Sequence, residues 1–342
     1  MERSITDPKK FVDKFMSGEK RLTDTVIFCF SEAAETNLIV LADRYKGMVM
    51  YYRHNCGYNN TTWITVVQKD QGRNNFAVAN PAPGASNIAT LAEEMYAWGI
   101  RRFISMGPVG HTFVQAPALN IGDLVVPQEV FPYDAVALHY APPDFVERYY
   151  DLVERHPRIG PTDAIISRLE NIAARDNIKL KRVNVATMGA LYRETSSFAR
   201  EITRRGTEVV DQELSGLYSA LHDKKDAQVA SILWISDMYP ANGENWALEF
   251  DGSKIPDAER RAVKLCVSAF LENGSVSGKS WPFPHSLGKG RIDKAKVAEE
   301  FGVYNPFNGT VYVKEGDSFK RTTNIFLRIG AYVGRFSHKG KR

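Results

Sequence analysis

The stretch GASNIATLAEEMYAWGIRRFISMGPVG, residues 84–110, places a helix, a strand and a glycine-rich turn in direct succession. Apolar residues recur at helical spacing through residues 86–99, and Gly99 stands where a helix C-terminal glycine is expected. The apolar run FISMG (103–107) then predicts a buried strand, and GPVG (107–110) predicts the turn that follows it. A helix that leads directly into a buried strand is typical of an α/β sheet.

The same alternation of short apolar runs and helical periodicity extends along the chain. It predicts nine strands, with helices between many of them. The predicted strands span residues 25–30, 48–53, 63–68, 76–80, 103–107, 122–130, 181–189, 208–211 and 228–236. The predicted helices span residues 86–99, 142–156, 162–176, 196–206, 213–223 and 256–274, with Gly206 and Gly274 as further C-terminal glycines. We therefore expect an α/β fold without internal repeats.

Composition and cysteine usage limit the class of protein. Of the 342 residues, 44% are hydrophobic and 25% are charged, which is ordinary for a globular protein. No apolar run reaches the roughly 18 residues that span a bilayer, and the first residues lack the apolar core of a signal peptide. The three cysteines have no CxxC spacing, so reduced thiols are expected rather than disulfides or zinc. We therefore expect a cytoplasmic protein with no metal and no membrane association.

The C-terminal end differs in composition from the rest of the chain. A linker rich in Gly, Ser and Pro begins near residue 274, which predicts a main domain over 1–274 and an α+β appendage over 275–342. The appendage holds 13 Lys and Arg against 5 Asp and Glu. Such a basic end could meet phosphate or nucleic acid, or simply be solvated. Its aromatic residues alternate only faintly with basic ones, so nucleic acid is not expected.

The appendage itself shows one helical and two β-prone segments. These are DKAKVAEEF (293–301), GTVYVKEG (309–316) and TNIFLRIGAYVG (323–334).

Acidic residues follow three of the predicted strands. Glu35 comes after the first strand, Asp211 and Glu213 follow the strand at 208–211, and Asp237 follows the strand at 228–236. Ligands of open α/β sheets bind at the carboxyl ends of strands. Separated carboxylates suit cleavage of a glycosidic bond, since one can protonate the leaving group while another activates water. Helix capping is the alternative for each of these acids.

Motifs of several other enzyme classes are missing. The chain has no GxGxxG after a strand, no Walker loop, no HExxH and no GxSxG. Dinucleotide-binding, P-loop, zinc-hydrolase and serine-hydrolase interpretations are therefore weak.

Five segments, in order, resemble the nucleoside phosphorylase/nucleosidase superfamily, which includes uridine phosphorylase, purine nucleoside phosphorylase and methylthioadenosine nucleosidase. They are GASNIATLAEEMYAWGIRRFISMGPVG (84–110), NIGDLVVPQEVFPYDAVALHYAP (120–142), ATMGALYRE (186–194), VVDQELSG (209–216) and ISDMYPAN (235–242). The resemblance implies a three-layer αβα fold with a central twisted mixed sheet. It also implies a nucleoside or nucleotide substrate, no cofactor, and a homo-oligomer, either a dimer or a hexamer.

The resemblance further implies roles for single residues. Glu213 would bind the ribose hydroxyls while Asp211 caps the helix. Asp237 would protonate the departing base, and it favours a purine because uridine phosphorylases lack this Asp; capping of the following loop is its alternative. The residues expected to bind substrate are Gln212, Glu213, Leu191, Tyr192, Gly107, Pro108, Val109, Gly110 and Arg53. Ordinary packing remains the alternative for Tyr192.

Two departures from the phosphorylase pattern favour hydrolysis. Phosphorylases of this family bind inorganic phosphate with a Gly-Asp-Pro-x-Arg turn after the first strand, where this chain has FSEAAE (30–35). Around the second glycine turn, Ser105 and Pro108 replace an Arg and a hydroxyl residue, and proline lacks even its backbone N–H. Only Arg53 remains, matching an arginine that a neighbouring subunit provides in uridine phosphorylase. Without bidentate arginines, a phosphate dianion loses its strongest partners.

Glu35 falls where the family's nucleosidases keep the Glu that activates water; an exposed acid in the first helical turn is its alternative. We therefore expect a purine nucleosidase with Glu35, Glu213 and Asp237 as catalytic residues. Two alternatives stay open. One is a phosphorylase for purine or uridine nucleosides, with inorganic phosphate as co-substrate, and the other is a nucleoside-binding module without catalysis.

Overall fold

The computed structural model describes the central part of the chain nearly completely and the ends in segments. Side chains are not described in the strands of residues 48–68, 247–248 and 303–322, nor at residues 163 and 270. The described residues are 7–9, 23–31, 34–35, 38, 48–56, 60–68, 76–112, 119–134, 136, 140, 162–190, 194–238, 247–248, 254–270, 303–305, 310–315 and 318–322.

A mixed sheet of ten strands forms the centre of the described fold. Its order is β10-β9-β6-β7-β8-β5-β1-β4-β3-β2. The strands are β1 (Thr25–Cys29), β2 (Met48–Cys56), β3 (Asn60–Gln68), β4 (Phe76–Ala79), β5 (Arg102–His111), β6 (Leu124–Pro132), β7 (Leu180–Thr187), β8 (Val209–Asp211), β9 (Gln228–Met238) and β10 (Ala247–Leu248). All nine predicted strands are confirmed; the two-residue β10 is too short for a periodic signal.

Five of these strands close into a ring. β5 pairs in parallel with β9, β9 pairs antiparallel with β6, and β6 pairs in parallel with β7. β7 pairs in parallel with β8, which returns to β5 in antiparallel pairing. The remaining strands extend from β5 through β1, β4 and β3 to β2. β5 therefore belongs to both the ring and the open part of the sheet.

Helices cover both faces of the sheet, which confirms the three-layer prediction. The helices are α1 (Ala85–Trp98), α2 (Asp163–Arg175), α3 (Ser196–Arg204), α4 (Leu214–Leu221) and α5 (Lys254–Phe270). Residues of α1 and α4 share one apolar core, and residues of α2 and α5 share another with the opposite sides of β1 and β5. Gly99 (φ 105°) and Gly206 (φ 87°) follow α1 and α3 in the left-handed conformation, as predicted. The helix predicted at 142–156 and Gly274 lie outside the described residues.

Three antiparallel strands form a separate small sheet in the C-terminal segment. They are β11 (Val303–Asn305), β12 (Thr310–Glu315) and β13 (Ser318–Thr322). β12 confirms the β-prone segment predicted at 309–316, whereas β13 was missed. The segments predicted at 293–301 and 323–334 lie outside the described residues, and the domain boundary at 274 stays a prediction. Within the described part of the chain, no helix has the length and apolar character needed to cross a membrane.

Candidate active site

One side of β5 has a gap in its strand pairing among the described residues, which we call the crevice. On that side, β1 pairs with β5 as far as Met106, and β8 pairs with it only from Gly110 onward. Among the described residues, Gly107, Pro108 and Val109 have no strand partner there. The carbonyl of Met106 accepts the N–H of Phe30 at 2.9 Å, so the backbone groups of alternate residues from Met106 point to this side. Pro108 is the next residue whose backbone points to this side. Because proline has no N–H, no donor is left unpaired there.

The segment 107–110 was predicted as a turn, and that prediction is wrong. These residues continue β5 to His111, because β9 pairs with β5 along its whole length. Two glycines in this segment let protein side chains approach the backbone closely. A Cβ at Gly107 would lie 3.1 Å from the Cβ of Phe30, and one at Gly110 would lie 2.9 Å from Oδ2 of Asp237. Pro108 is exposed and Val109 is buried.

A β-bulge in β9 sets the direction of Asp237. Val109 pairs with Ile235 but Gly110 pairs with Asp237, so Ser236 is an extra residue in β9. Paired residues of neighbouring strands face the same side. Ile235 points into the apolar core of α1 and α4, and the bulge turns Asp237 away from it, beside Gly110. The Ser236 hydroxyl donates to Oδ1 of Asp237 at 2.5 Å. Asp237 thus lies inside strand β9, and the loop that it might alternatively cap lies outside the described residues.

Glu194 is a second acid near Asp237 that the sequence analysis did not select. Burial raises the pKa of the Glu194 carboxyl to about 7, and the negative charge of Asp237 adds to the shift. Glu194 directly precedes Thr195, the N-cap of α3, at the end of the segment ATMGALYRE. Its position at the end of the expected base-binding loop was the one signal available. A carboxyl with this pKa holds a proton in a substantial fraction of molecules at neutral pH.

Asp211 is a cap, as predicted. Its Oδ2 accepts the backbone N–H groups of Glu213 at 3.0 Å and Leu214 at 2.7 Å. Its Oδ1 accepts the hydroxyl of Thr187 at 2.5 Å. Burial raises the pKa of Asp211, and the charge of Glu213 raises it further, while these hydrogen bonds oppose both effects. The Asp211 carboxylate therefore organises the first turn of α4.

Glu213 lies between the N-termini of two helices. It is the N-cap residue of α4, and its Oε1 accepts the N–H of Gly84, the N-cap residue of α1, at 3.0 Å. Gly84 adopts a φ of 112°, which favours glycine. Burial raises the pKa of Glu213, and the N–H groups of Gly84 and Gln212 oppose that rise. Both helix dipoles favour negative charge at this point, so the partly buried carboxylate is held in place by backbone donors.

The two helices can meet at Glu213 only because α4 contains a glycine. A Cβ on Gly216 would lie 2.0 Å from the carbonyl oxygen of Ala85. No side chain fits there, so the backbones of α1 and α4 are in direct contact. That contact keeps the N–H of Gly84 within reach of Glu213.

Glu35 is buried, with 6% of its surface exposed, so the alternative of an exposed helix acid is wrong. Its backbone N–H donates to the carbonyl of Ser31 at 3.0 Å. Its Oε2 accepts the side-chain amide of Asn80 at 3.1 Å. Asn80 begins the segment NPAPG (80–84), which ends at Gly84. One short segment therefore contacts both Glu35 and Glu213.

The predicted site residues thus occupy several positions around the crevice. Gly110 pairs with Asp237 on one side and with Val210 on the other, immediately before Asp211. Adjacent strands lie about 4.8 Å apart, so Asp237 and the β8–α4 turn flank Gly110 closely. Glu35 lies beyond the end of β1, and Gln212 is partly buried beside Glu213.

Three of the predicted residues have no described side chain. Arg53 is in β2, opposite Trp63 of β3, and its side chain is not described. Leu191 and Tyr192 lie outside the described residues. No group of three or more His, Cys, Asp or Glu within the described part of the chain is arranged to hold a metal ion.

Comparison with known proteins identifies relatives of the fold. A family model described as the phosphorylase superfamily matches residues 29–272. The crystal structure of purine nucleoside phosphorylase from Toxoplasma gondii with immucillin-H is similar, with a TM-score of 0.57 and 16% identity. The match covers 73% of this chain and 90% of that one. No curated protein matches the sequence.

Two further similar crystal structures are those of a nucleosidase and of a phosphorylase. The 5′-methylthioadenosine/S-adenosylhomocysteine nucleosidase of Campylobacter jejuni has a TM-score of 0.54 and 19% identity, with 71% of this chain and 98% of that one covered. Uridine phosphorylase from Vibrio fischeri has a TM-score of 0.54 and 17% identity, with coverage of 74% and 92%. At these identities the likeness shows the fold alone. The resemblance stated from the sequence is confirmed, and both expected enzyme classes occur among the relatives.

Proposed function

The chain belongs to the phosphorylase superfamily, and we propose that it cleaves the N-glycosidic bond of a purine nucleoside or nucleotide by hydrolysis. The observation that carries this proposal is the position of Asp237 and the β8–α4 turn on the two sides of Gly110. Bond cleavage needs charge stabilisation on the sugar and a proton for the base. Two acids on opposite sides of a glycine backbone suit those two tasks.

Asp237 is the proposed general acid. Its carboxyl lies beside the Cα of Gly110, in space that a side chain at that position would need. The neighbouring Glu194, whose pKa burial and the Asp237 charge raise to about 7, provides a protonated carboxyl beside Asp237 in a substantial fraction of molecules at neutral pH. That proton is then available to the departing purine.

Glu213 is the proposed anchor for the ribose hydroxyls. Positive charge grows on the sugar as the base leaves, so a fixed carboxylate stabilises the transition state more than the ground state. The N–H of Gly84 fixes its orientation before substrate binds. Gln212 lies beside it, and Leu191, Tyr192 and the backbone of residues 107–110 are proposed to contact the base.

Glu35 is the proposed base that orients the attacking water. It is buried at the end of β1 and fixed by Asn80. No cofactor takes part in this scheme. The alternative is phosphorolysis, since relatives with this fold include phosphorylases. It would require inorganic phosphate beside the Glu35 carboxylate and beside Pro108, which offers no N–H.

Base release in phosphate-free buffer tests the proposal. We expect release of purine and free sugar from adenosine, inosine or AMP without phosphate, whereas strict dependence on phosphate would favour the phosphorylase alternative. Comparison of AMP with adenosine as substrates decides between a nucleotide and a nucleoside; for a nucleotide, Arg53 and the basic C-terminal segment are proposed to bind the 5′-phosphate. Asp237→Asn should slow release by about 10²–10⁴-fold, and Glu213→Gln by about 10²–10³-fold.

Glu170→Gln is a matched control for both variants, because Glu170 pairs with Arg182 on the surface. Its rate should equal that of the native chain. If Asp237→Asn and Glu213→Gln also leave the rate unchanged, the proposed roles of these two acids are wrong. Nucleoside binding by the native chain without any base release would instead favour a nucleoside-binding module.

We also propose a homo-oligomer, a dimer or a hexamer, in which Arg53 completes the site of a neighbouring subunit. Light scattering measures the subunit number, and a monomer that releases purine at full rate would contradict the proposal. A cytoplasmic location is proposed on the free, buried thiols of Cys29 and Cys266.

A further inference from the structure

The turn after β1 is held by a residue that is remote in sequence. The hydroxyl of Ser31 donates to Oε1 of Glu259 at 2.5 Å, across 228 residues of chain. The hydroxyl oxygen of Ser31 accepts the N–H of Ala34 at 3.3 Å, and the Ser31 carbonyl accepts the N–H of Glu35 at 3.0 Å. Ser31 thus begins the helical turn that carries Glu35, and Glu259 fixes the direction of the Ser31 hydroxyl.

Glu259 is an unusual residue for this position in α5. Only 7% of its surface is exposed, and burial raises the pKa of its carboxyl against the opposing effects of Ser31 and Arg260. Its neighbours Ala258 and Ala262 are fully buried in an apolar core. A buried carboxyl costs free energy that an apolar residue would not, so a purely structural role gives no reason for an acid here.

The contacts continue from Glu259 to the proposed site. Glu259 contacts Ser31, Ser31 supports the turn with Glu35, and Glu35 accepts the amide of Asn80. The segment 80–84 then reaches Glu213 through the N–H of Gly84. Each step is a hydrogen bond between groups with little freedom to move. Displacement of Ser31 would therefore be transmitted first to Glu35.

We propose that Glu259 is a positioning residue that acts through Ser31 to hold the Glu35 carboxylate against the attacking water. This inference rests on the proposed function. It adds that the water-orienting group depends on a hydrogen bond from the opposite end of the chain. It assigns Glu259 no contact with substrate.

Base-release kinetics of Ser31→Ala and Glu259→Ala test the proposal. Each should lower kcat by about 10–100-fold, since small displacements of a catalytic group reduce rates by such factors. KM should change less than threefold, because neither residue touches substrate. The double variant should be no slower than the worse single one, since both act through the same contact. In a Glu35→Ala background, Glu259→Ala should have no further effect on kcat.

Two conservative variants and one control separate positioning from folding. Ser31→Thr retains a hydroxyl and Glu259→Gln retains an acceptor, so both should recover most of kcat. Ser268→Ala removes another buried hydroxyl from α5, one without a partner among the described residues, and should leave kcat unchanged. A drop in melting temperature with kcat unchanged in Ser31→Ala and Glu259→Ala would reduce Glu259 to a structural role and overturn the proposal.

Hydrogen exchange at the amides of Ala34 and Glu35 gives a readout that needs no activity. Faster exchange in Glu259→Ala than in Ser268→Ala supports the positioning contact, and equal exchange overturns it. A native chain that releases no base while exchange still responds to Glu259→Ala would contradict the proposed function and leave the contact established. A native chain with full activity and insensitive variants would contradict only the positioning role.

Discussion

The turns after β1 and β8 each carry a carboxylate of the proposed site, but they are held by different means. After β8, backbone N–H groups and two helix N-termini hold Asp211 and Glu213. After β1, the Ser31–Glu259 and Asn80–Glu35 side-chain hydrogen bonds fix the turn. The first arrangement depends on backbone geometry, and the second depends on single side chains that are far apart in sequence.

This difference predicts which turn tolerates substitution. Backbone contacts cannot adjust without moving whole helices, so added atoms near the β8–α4 turn should be costly. Side-chain contacts can be lost one at a time, so changes at the β1 turn should reduce activity more than stability. The predictions below test that contrast, from the largest expected effect to the smallest.

Gly216→Ala should have the largest effect on stability. The new Cβ would lie 2.0 Å from the carbonyl oxygen of Ala85, so α1 and α4 must separate. We expect a loss of about 3 kcal/mol or more in the free energy of unfolding, at or above the usual range for overpacking. Gly189→Ala is the matched control, because its Cβ would meet the Cβ of Asp134 at an ordinary 3.6 Å. Denaturant unfolding measures both, and equal midpoints would contradict the direct backbone contact.

Asp211→Ala should come next. It leaves two backbone N–H groups and the Thr187 hydroxyl without their acceptor. We expect a loss of about 2–3 kcal/mol from the cap and the buried donors. Asp211→Asn keeps an acceptor and should lose less than half as much. Thermal unfolding compares the two, and an Ala variant as stable as the native chain would show that Asp211 does not organise α4.

Asn80→Ala should destabilise the β1 turn by less, about 1–2 kcal/mol. It removes the amide that Glu35 accepts at 3.1 Å. Asn184→Ala removes an amide that donates to the Gly206 carbonyl in an exposed position, and serves as the comparison. If Asn80→Ala costs more stability than Asp211→Ala, the contrast between the two turns is reversed.

The last prediction concerns pH and Glu194, a partly exposed carboxyl whose electrostatic contribution is reduced by solvent screening. Its pKa is about 7 in the folded chain against an ordinary value of 4.5. Between these values the folded state keeps a proton that the unfolded chain has lost, so its contribution to stability falls as pH rises from about 4.5 to 7. Glu194→Gln should remove this decline. Unfolding midpoints at pH 4.5, 6 and 8 check it, and parallel curves for the two proteins would contradict the raised pKa.

The sequence predicted the strand and helix pattern well, because apolar periodicity reports which faces are buried. It missed the continuation of β5 through residues 107–110, since glycine and proline resemble a turn when the pairing with β9 is not visible. The bulge at Ser236 was missed for a similar reason. One extra residue changes the side of the sheet to which Asp237 points, but it does not change the local composition.

Two acids near the site escaped the sequence analysis for physical reasons. Glu259 stands among Asp257, Arg260 and Arg261, where it looks like part of a solvated helix face. Its partner Ser31 lies 228 residues away. The raised pKa of Glu194 likewise depends on a neighbour that is not local in sequence, Asp237. Asp237 and Glu213 were selected as candidates because they stand at strand ends, where local sequence and topology agree; their catalytic roles stay predictions.

The most direct test of the account is a turnover experiment in H₂¹⁸O with inorganic phosphate also present. Glu35 lies in the turn after β1 and accepts a hydrogen bond from Asn80. We expect it to direct a water molecule to the sugar. The account predicts ¹⁸O at C1 of the released sugar and no sugar 1-phosphate. Release of the base with sugar 1-phosphate, free of ¹⁸O, would contradict it.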